Sequence, residues 1–150
     1  MKTVIPAILM VMIMTGSASA AEGMIDVKSS FGVKETGDRL ESVLKEKGMT
    51  MFNRVTHSEA AKKAGIELRE TELIIFGNPK IGSPLMNCQQ SVAIDLPQKA
   101  LIWEDSEGNT WISYNDLKYL EKRHNISGCE EVISKIEKAF AGMAKAAATK

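Results

Sequence analysis

Two cysteines, four prolines and 5% aromatic residues in a chain of 150 leave little room for specialised architectures. A disulfide-dense scaffold needs more cysteine and a proline-rich spacer more proline, so the composition is that of one ordinary globular domain, 44% hydrophobic and 25% charged. A surplus of charge is missing too: 19 Lys and Arg face 19 Asp and Glu. General nucleic-acid binding, which draws affinity from cations that displace counterions at phosphates, therefore has no electrostatic basis. The patterns C-x-x-C, H-x-x-H, H-E-x-x-H and G-x-S-x-G are all absent. No motif indicates a cofactor or a metal, and none specifies a catalytic mechanism.

What is present begins with a processing pattern. Lys2 supplies a positive charge, Val4 to Met14 is an apolar run broken only by Pro6, and Thr15 to Ala20 is small and polar. That order predicts a secretory signal over residues 1–20 with cleavage after Ala20, and a periplasmic or secreted protein. The run of 11 residues is shorter than the roughly 20 a membrane-spanning helix needs, so no membrane anchor is expected once the signal is removed. Residues 21–150 then form a single domain. Export also makes Cys88 and Cys129 candidates for a disulfide, because an oxidising compartment permits one.

Along the chain, Ile25 to Ser29 alternates as a strand, and Val33, Thr36, Gly37, Leu40, Val43 and Leu44 recur at helical spacing up to Gly48. Glu35 with Arg39 and Glu41 with Lys45 predict ion pairs on the outer face of that helix. Thr50 to Thr56 reads as a strand, and Ser58 to Gly65 as a short helix whose alanines predict close packing. The continuous run Glu72 to Phe76 reads as a strand covered on both faces or central in a sheet. Ser83-Pro84 predicts a helix start with Ser83 as cap, Ser91 to Leu96 a turn, and Lys99 to Glu104 with Thr110 to Asn115 a hairpin. Leu117 to His124 and Cys129 to about Ala147 read as helices, the second with a fraying lysine- and alanine-rich end. The order is α+β with an antiparallel sheet and helices on one face. Cover for the other face is expected from the segment between Gly77 and Pro97 or from a second subunit.

Two site readings follow from residue chemistry. In the Gly77 to Pro84 loop, Gly77 and Gly82 let backbone N–H groups converge, Lys80 adds a cation, and Ser83 starts a helix; this fits a small anionic ligand. The alternative is a purely structural turn in which Asn78 caps backbone groups and Pro79 stiffens the exit. His57, at a strand-to-helix junction, is either a cap or an acid/base group, and in the enzymatic reading Lys80 orients an anionic substrate. Tyr114 joins His57, Gly77, Asn78, Lys80, Gly82 and Ser83 as a candidate ligand-binding residue. His124, at the end of a charged helix, reads as a surface residue. On the hairpin Trp111 faces opposite to Tyr114, so at least one aromatic leaves the core, most simply for a dimer interface.

Taken together, Thr56-His57-Ser58 to Ala64-Gly65, Phe76-Gly77-Asn78-Pro79-Lys80-Ile81-Gly82-Ser83-Pro84-Leu85-Met86, Asp95-Leu96-Pro97, Trp103-Glu104-Asp105 and Ser113-Tyr114-Asn115-Asp116 resemble the DUF302 family. The resemblance runs from about Ile25 to the terminal helix. It implies a TBP-like fold, a curved antiparallel sheet with helices packed on one face in the order β-α-β4-α, and a homodimer. It implies no reaction, and a shared fold does not import DNA binding. The expectation is an exported, non-enzymatic binding or structural module, with the small His57 enzyme as the alternative.

Overall fold

The computed structural model describes residues 20–150, so the export signal expected over residues 1–20 lies outside the described residues apart from Ala20. The elements are β1 (Met24–Ser29), α1 (Val33–Glu46), β2 (Thr50–Thr56), α2 (His57–Lys63), β3 (Thr71–Gly77) and α3 (Pro79–Cys88). A 3-10 segment (Gln90–Asp95) then leads to β4 (Gln98–Glu104), β5 (Thr110–Asn115), α4 (Leu117–His124) and α5 (Glu130–Ala148). The five strands form one antiparallel sheet in the order β1-β5-β4-β3-β2, with the helices on one side.

Strand alternation sends Ile74 and Phe76 of β3, Ala100 and Ile102 of β4, and Ile112 and Tyr114 of β5 to the helix side. There they meet Leu40 and Leu44 of α1 and Ile133, Ile136 and Phe140 of α5, all buried. Burial of each large aliphatic side chain contributes about 1.5–3 kcal/mol, which outweighs the weak propensity of a Gly37-containing helix. The α1 stripe read from the sequence is the buried stripe observed. Gly37 has a second reason to be glycine: a Cβ there would stand 2.6 Å from Arg54 Nη2. Arg54 also points to the helix side, donating from Nε to Glu72 at 2.8 Å and from Nη1 to Asp38 at 2.6 Å. A buried carboxylate is tolerated at Glu72 because that guanidinium is fixed beside it.

Several expectations are corrected by tertiary contacts. Arg39 is not paired with Glu35; it donates to the carbonyls of Ala147 and Thr149 at 2.9 and 2.7 Å. The end of α5 is therefore held rather than frayed, with Ala147 and Ala148 fully buried. The alanines of α2 are not closely packed: the helix touches β3 but has no buried residue. Helix α3 starts four residues before Ser83-Pro84: Asn78 is its cap, accepting from the Lys80 N–H at 2.9 Å, Pro79 takes the first position, and Pro84 sits inside. The Gly77 to Pro97 segment does not cover the second sheet face. Leu85 and Val92 enter the core on the helix side, and Cys88 is disulfide-bonded to Cys129 with Cα atoms 6.3 Å apart.

Among the described residues the second face of the sheet carries no helix. Val55, Leu73, Ile75, Leu101, Trp103 and Trp111 lie on it, half-buried. Trp103 Nε1 donates to Ser113 Oγ at 2.7 Å, and across the register from Ser113 stands Asp26, whose buried Oδ1 has no partner among the described residues. Trp111 faces opposite to Tyr114, as strand alternation requires.

Candidate functional site

A cavity of about 300 Å³ opens where the irregular segment crosses the end of the sheet. Separate parts of the chain wall it, the end of β3 at Gly77 and Asn78 among them. Met49 and Phe52 come from the entry to β2, Ile81, Gly82, Ser83, Leu85 and Met86 from α3, Ala93 and Leu96 from the 3-10 segment and its exit, Gln98 from β4, and Ile136 and Phe140 from α5. Local chemistry explains the shape. An extra residue between Met51 and Asn53 bulges β2 and turns Phe52, 55% exposed, across Gly77, where a Cβ would come within 3.3 Å of the ring. The Asn78 side chain closes the corner, accepting from Lys80 N–H while its amide donates to the Gly48 carbonyl at 3.0 Å.

Among the described residues the lining is apolar apart from Asn78, Ser83 and Gln98, and no Asp, Glu, Lys, Arg or His belongs to it. Gln98, 6% exposed, sits on the helix side of β4, and its Oε1 has no hydrogen-bond partner among the described residues. A mostly apolar concavity with few polar groups suits a small uncharged molecule. Among the described residues no cluster of three His, Cys, Asp or Glu side chains could hold a metal ion.

The residues singled out from the sequence divide into two groups. Gly77, Asn78, Gly82 and Ser83 line the cavity. Lys80, His57 and Tyr114 do not. Lys80 is exposed on the outer side of α3. His57 is exposed at the far end of β2: Thr50 pairs with Gly77 but Thr56 pairs with Glu72, which separates His57 from the loop by on the order of 20 Å of strand. Tyr114 is buried edge-on against Phe140 at 6.1 Å, where burial and the nearby Asp116 push its hydroxyl up from its ordinary pKa.

His124 is not at the surface. It is 9% exposed, with Nδ1 3.0 Å from Ser91 Oγ and Nε2 2.6 Å from Asp95 Oδ2, and Arg123 reaches the other Asp95 oxygen at 3.2 Å. The three groups form a hydrogen-bonded chain from the 3-10 segment to α4, but none of them lines the cavity. Their geometry explains how the cavity wall is held: Ala93 and Leu96 face inward while Ser91 and Asp95 anchor the same segment from behind. No local pattern marks Gln98 or this anchor, because each depends on which elements the fold brings together.

Comparison with known proteins adds a family and a fold. The model for "Domain of unknown function DUF302" matches residues 25–143. The chain is 42% identical over 113 residues, 75% of its length, to proteins called fluoride-specific ion channel FluC 1 in Brucella suis and Brucella abortus, and it spans 44% and 42% of their lengths. A crystal structure of an uncharacterized conserved DUF302 protein from Bacillus stearothermophilus superposes with a TM-score of 0.76 at 24% identity, covering 85% of this chain and 99% of that one.

Proposed function

This chain belongs to the DUF302 family, and on that footing we propose that it is an exported, dimeric binding module that holds a small molecule in the cavity beneath α3 and performs no chemistry on it. The observation that carries this reading is the cavity lining, which offers apolar walls and no titratable side chain to act as acid or base. The enzymatic alternative needs His57 and Lys80 together, and they stand at opposite ends of β2 and β3. An anionic ligand would find no cation in the lining to offset its desolvation.

Export is supported by the leader pattern and by the Cys88 to Cys129 bond, which an oxidising compartment sustains. The dimer is supported by the uncovered sheet face. Its half-buried apolar side chains form an exposed face of the kind a two-fold contact covers. Fluoride conduction stays with the FluC relatives, of which this chain spans less than half. Among the described residues no helix is long and apolar enough to cross a membrane.

The binding reading is tested with N-phenyl-1-naphthylamine, an uncharged fluorophore that brightens in apolar surroundings. Wild-type protein is expected to enhance its emission saturably. Gly82→Leu, which has room at its Cβ 3.7 Å from Leu96 and extends into the cavity, is expected to abolish the enhancement while unfolding as cooperatively as wild type. Equal enhancement by both proteins would place the dye elsewhere and remove the cavity from the account.

A further inference from the structure

Ser91, His124 and Asp95 lie in series on the 3-10 segment and α4, outside the cavity lining. We propose that Ser91 is a nucleophile that takes the acyl group of activated esters, with His124 as its general base and Asp95 as the residue that positions the ring. This activity goes beyond the binding reading and is independent of it, since none of the three residues lines the cavity. Ser91 Oγ lies 3.0 Å from His124 Nδ1, and Asp95 Oδ2 lies 2.6 Å from Nε2. The ring is buried while the serine is exposed. An anchor alone has no need of a hydroxyl open to solvent at its end; a nucleophile does.

The hydrogen-bond roles follow from the carboxylate, which only accepts. Arg123 Nη1 donates to Asp95 Oδ1 at 3.2 Å, leaving Oδ2 for the ring, so a neutral His124 carries its proton on Nε2. Nδ1 then holds a lone pair and accepts from the Ser91 hydroxyl. Hydroxyl, imidazole and carboxylate in that order form the relay of serine hydrolases, here with the two ring nitrogens exchanged; either nitrogen can take a proton.

In the acylation step Ser91 Oγ attacks the ester carbonyl carbon while its proton passes to His124 Nδ1. The bond from that carbon to the leaving oxygen breaks, the imidazolium returns the proton to the departing alkoxide, and the acyl group stays on Oγ. Water then attacks the acyl-serine and gives its proton to Nδ1. The proton passes to Oγ as the bond from carbon to Oγ breaks, and the free acid leaves. The surroundings of Ser91 limit the substrate. Positions i and i+3 of a 3-10 helix eclipse, which sets Ile94, 75% exposed, in the row of Ser91 as an apolar step for a short aliphatic acyl chain. Among the described residues no side chain besides His124 bonds Ser91 Oγ, so water meets the charge developing on the carbonyl oxygen, and the reaction is confined to esters with good leaving groups.

The test uses p-nitrophenyl butyrate and the oxidised protein in a His57→Gln background, which leaves His124 as the one imidazole. Nitrophenolate release gives the rate, peptide mass mapping gives the site of the butyryl group, and 15N NMR gives the nitrogen that carries the ring proton. The protein is expected to be butyrylated at Ser91, with the ring proton on Nε2. Ser91→Ala, at an exposed position, is expected to fold and to lose the adduct, with release slowed on the order of 100-fold. In Asp95→Asn the Arg123 contact holds the amide oxygen, so the amide N–H faces the ring and moves its proton to Nδ1; release is expected to fall on the order of 100-fold or more. No reaction, butyrylation at another residue, or an unchanged rate in Ser91→Ala overturns the proposal, as does a parent ring protonated on Nδ1. A rate that does not follow the ring proton in Asp95→Asn overturns the roles of His124 and Asp95. Should that variant fail to fold, Ser91→Ala and the parent ring's proton decide the matter.

Discussion

The Nε2 of His124 lies 2.6 Å from Oδ2 of Asp95, a contact that fastens the last turn of α4 to the segment forming one wall of the cavity. Truncation to His124→Ala leaves one half-buried Asp95 oxygen and the exposed Ser91 hydroxyl without their partner. The expected cost is about 1–3 kcal/mol of folding free energy, measured by urea denaturation at neutral pH. Amide exchange should quicken in 90–96 more than in β4. A variant as stable as wild type, with unchanged exchange, would show that the contact anchors nothing.

The Cys88 to Cys129 bond closes a separation of 41 residues between α3 and the start of α5. Loop-closure entropy gives it about 4 kcal/mol, so reduction or the Cys88→Ala, Cys129→Ala pair should lower the unfolding midpoint markedly. Because α3 walls the cavity, dye binding should weaken in parallel. An unchanged midpoint after verified reduction would contradict this.

Acid should destabilise the fold through particular carboxylates. The Trp111 indole N–H, then the Asn109 side chain and the backbone N–H groups of Asn109 and Glu107, hold the Asp105 carboxyl well below the usual range. Hydrogen bonds from Lys34 and then Arg54 lower Asp38. A carboxyl depressed on folding lends stability that is complete above its ordinary range, about pH 4, and is lost as pH falls through the folded value. The melting temperature should therefore fall between pH 4 and pH 2, and Asp105→Asn should show a smaller fall than wild type. Equal acid sensitivity of the two proteins would count against the Asp105 assignment.

Leu101→Glu places a charge in the middle of the uncovered sheet face, between Leu73 and Ser113 in the register. Sedimentation is expected to find the wild type as a dimer and the variant as a folded monomer. A wild-type monomer at micromolar concentration would remove the dimer from the proposal.

The sequence disclosed the elements whose partners are local or whose stripe is long. The α1 stripe, the β4 to β5 hairpin and the spans of α4 and α5 stand close to where the sequence pattern placed them. Composition misled at α2, where alanine reflects an exposed helix rather than close packing, and at α5, whose end is fixed by Arg39 across 108 residues. At the Gly77 loop, turn chemistry identified the Asn78 cap, but Ser83-Pro84 imitates a helix start inside a helix already begun. The cavity was only half legible. Gly77, Asn78, Gly82 and Ser83 are contiguous enough to be seen as a motif, whereas Phe52, Gln98 and Phe140 meet only after the sheet and α5 have packed.

Native mass spectrometry of the protein purified from the exported fraction without reductant tests the central claim most directly. The account predicts a disulfide-bonded chain starting at Ala21 that carries a small uncharged molecule, with that molecule missing from Gly82→Leu isolated in the same way. A retained molecule equally present on both proteins, or a ligand-free wild type that also fails to take up N-phenyl-1-naphthylamine, would contradict it.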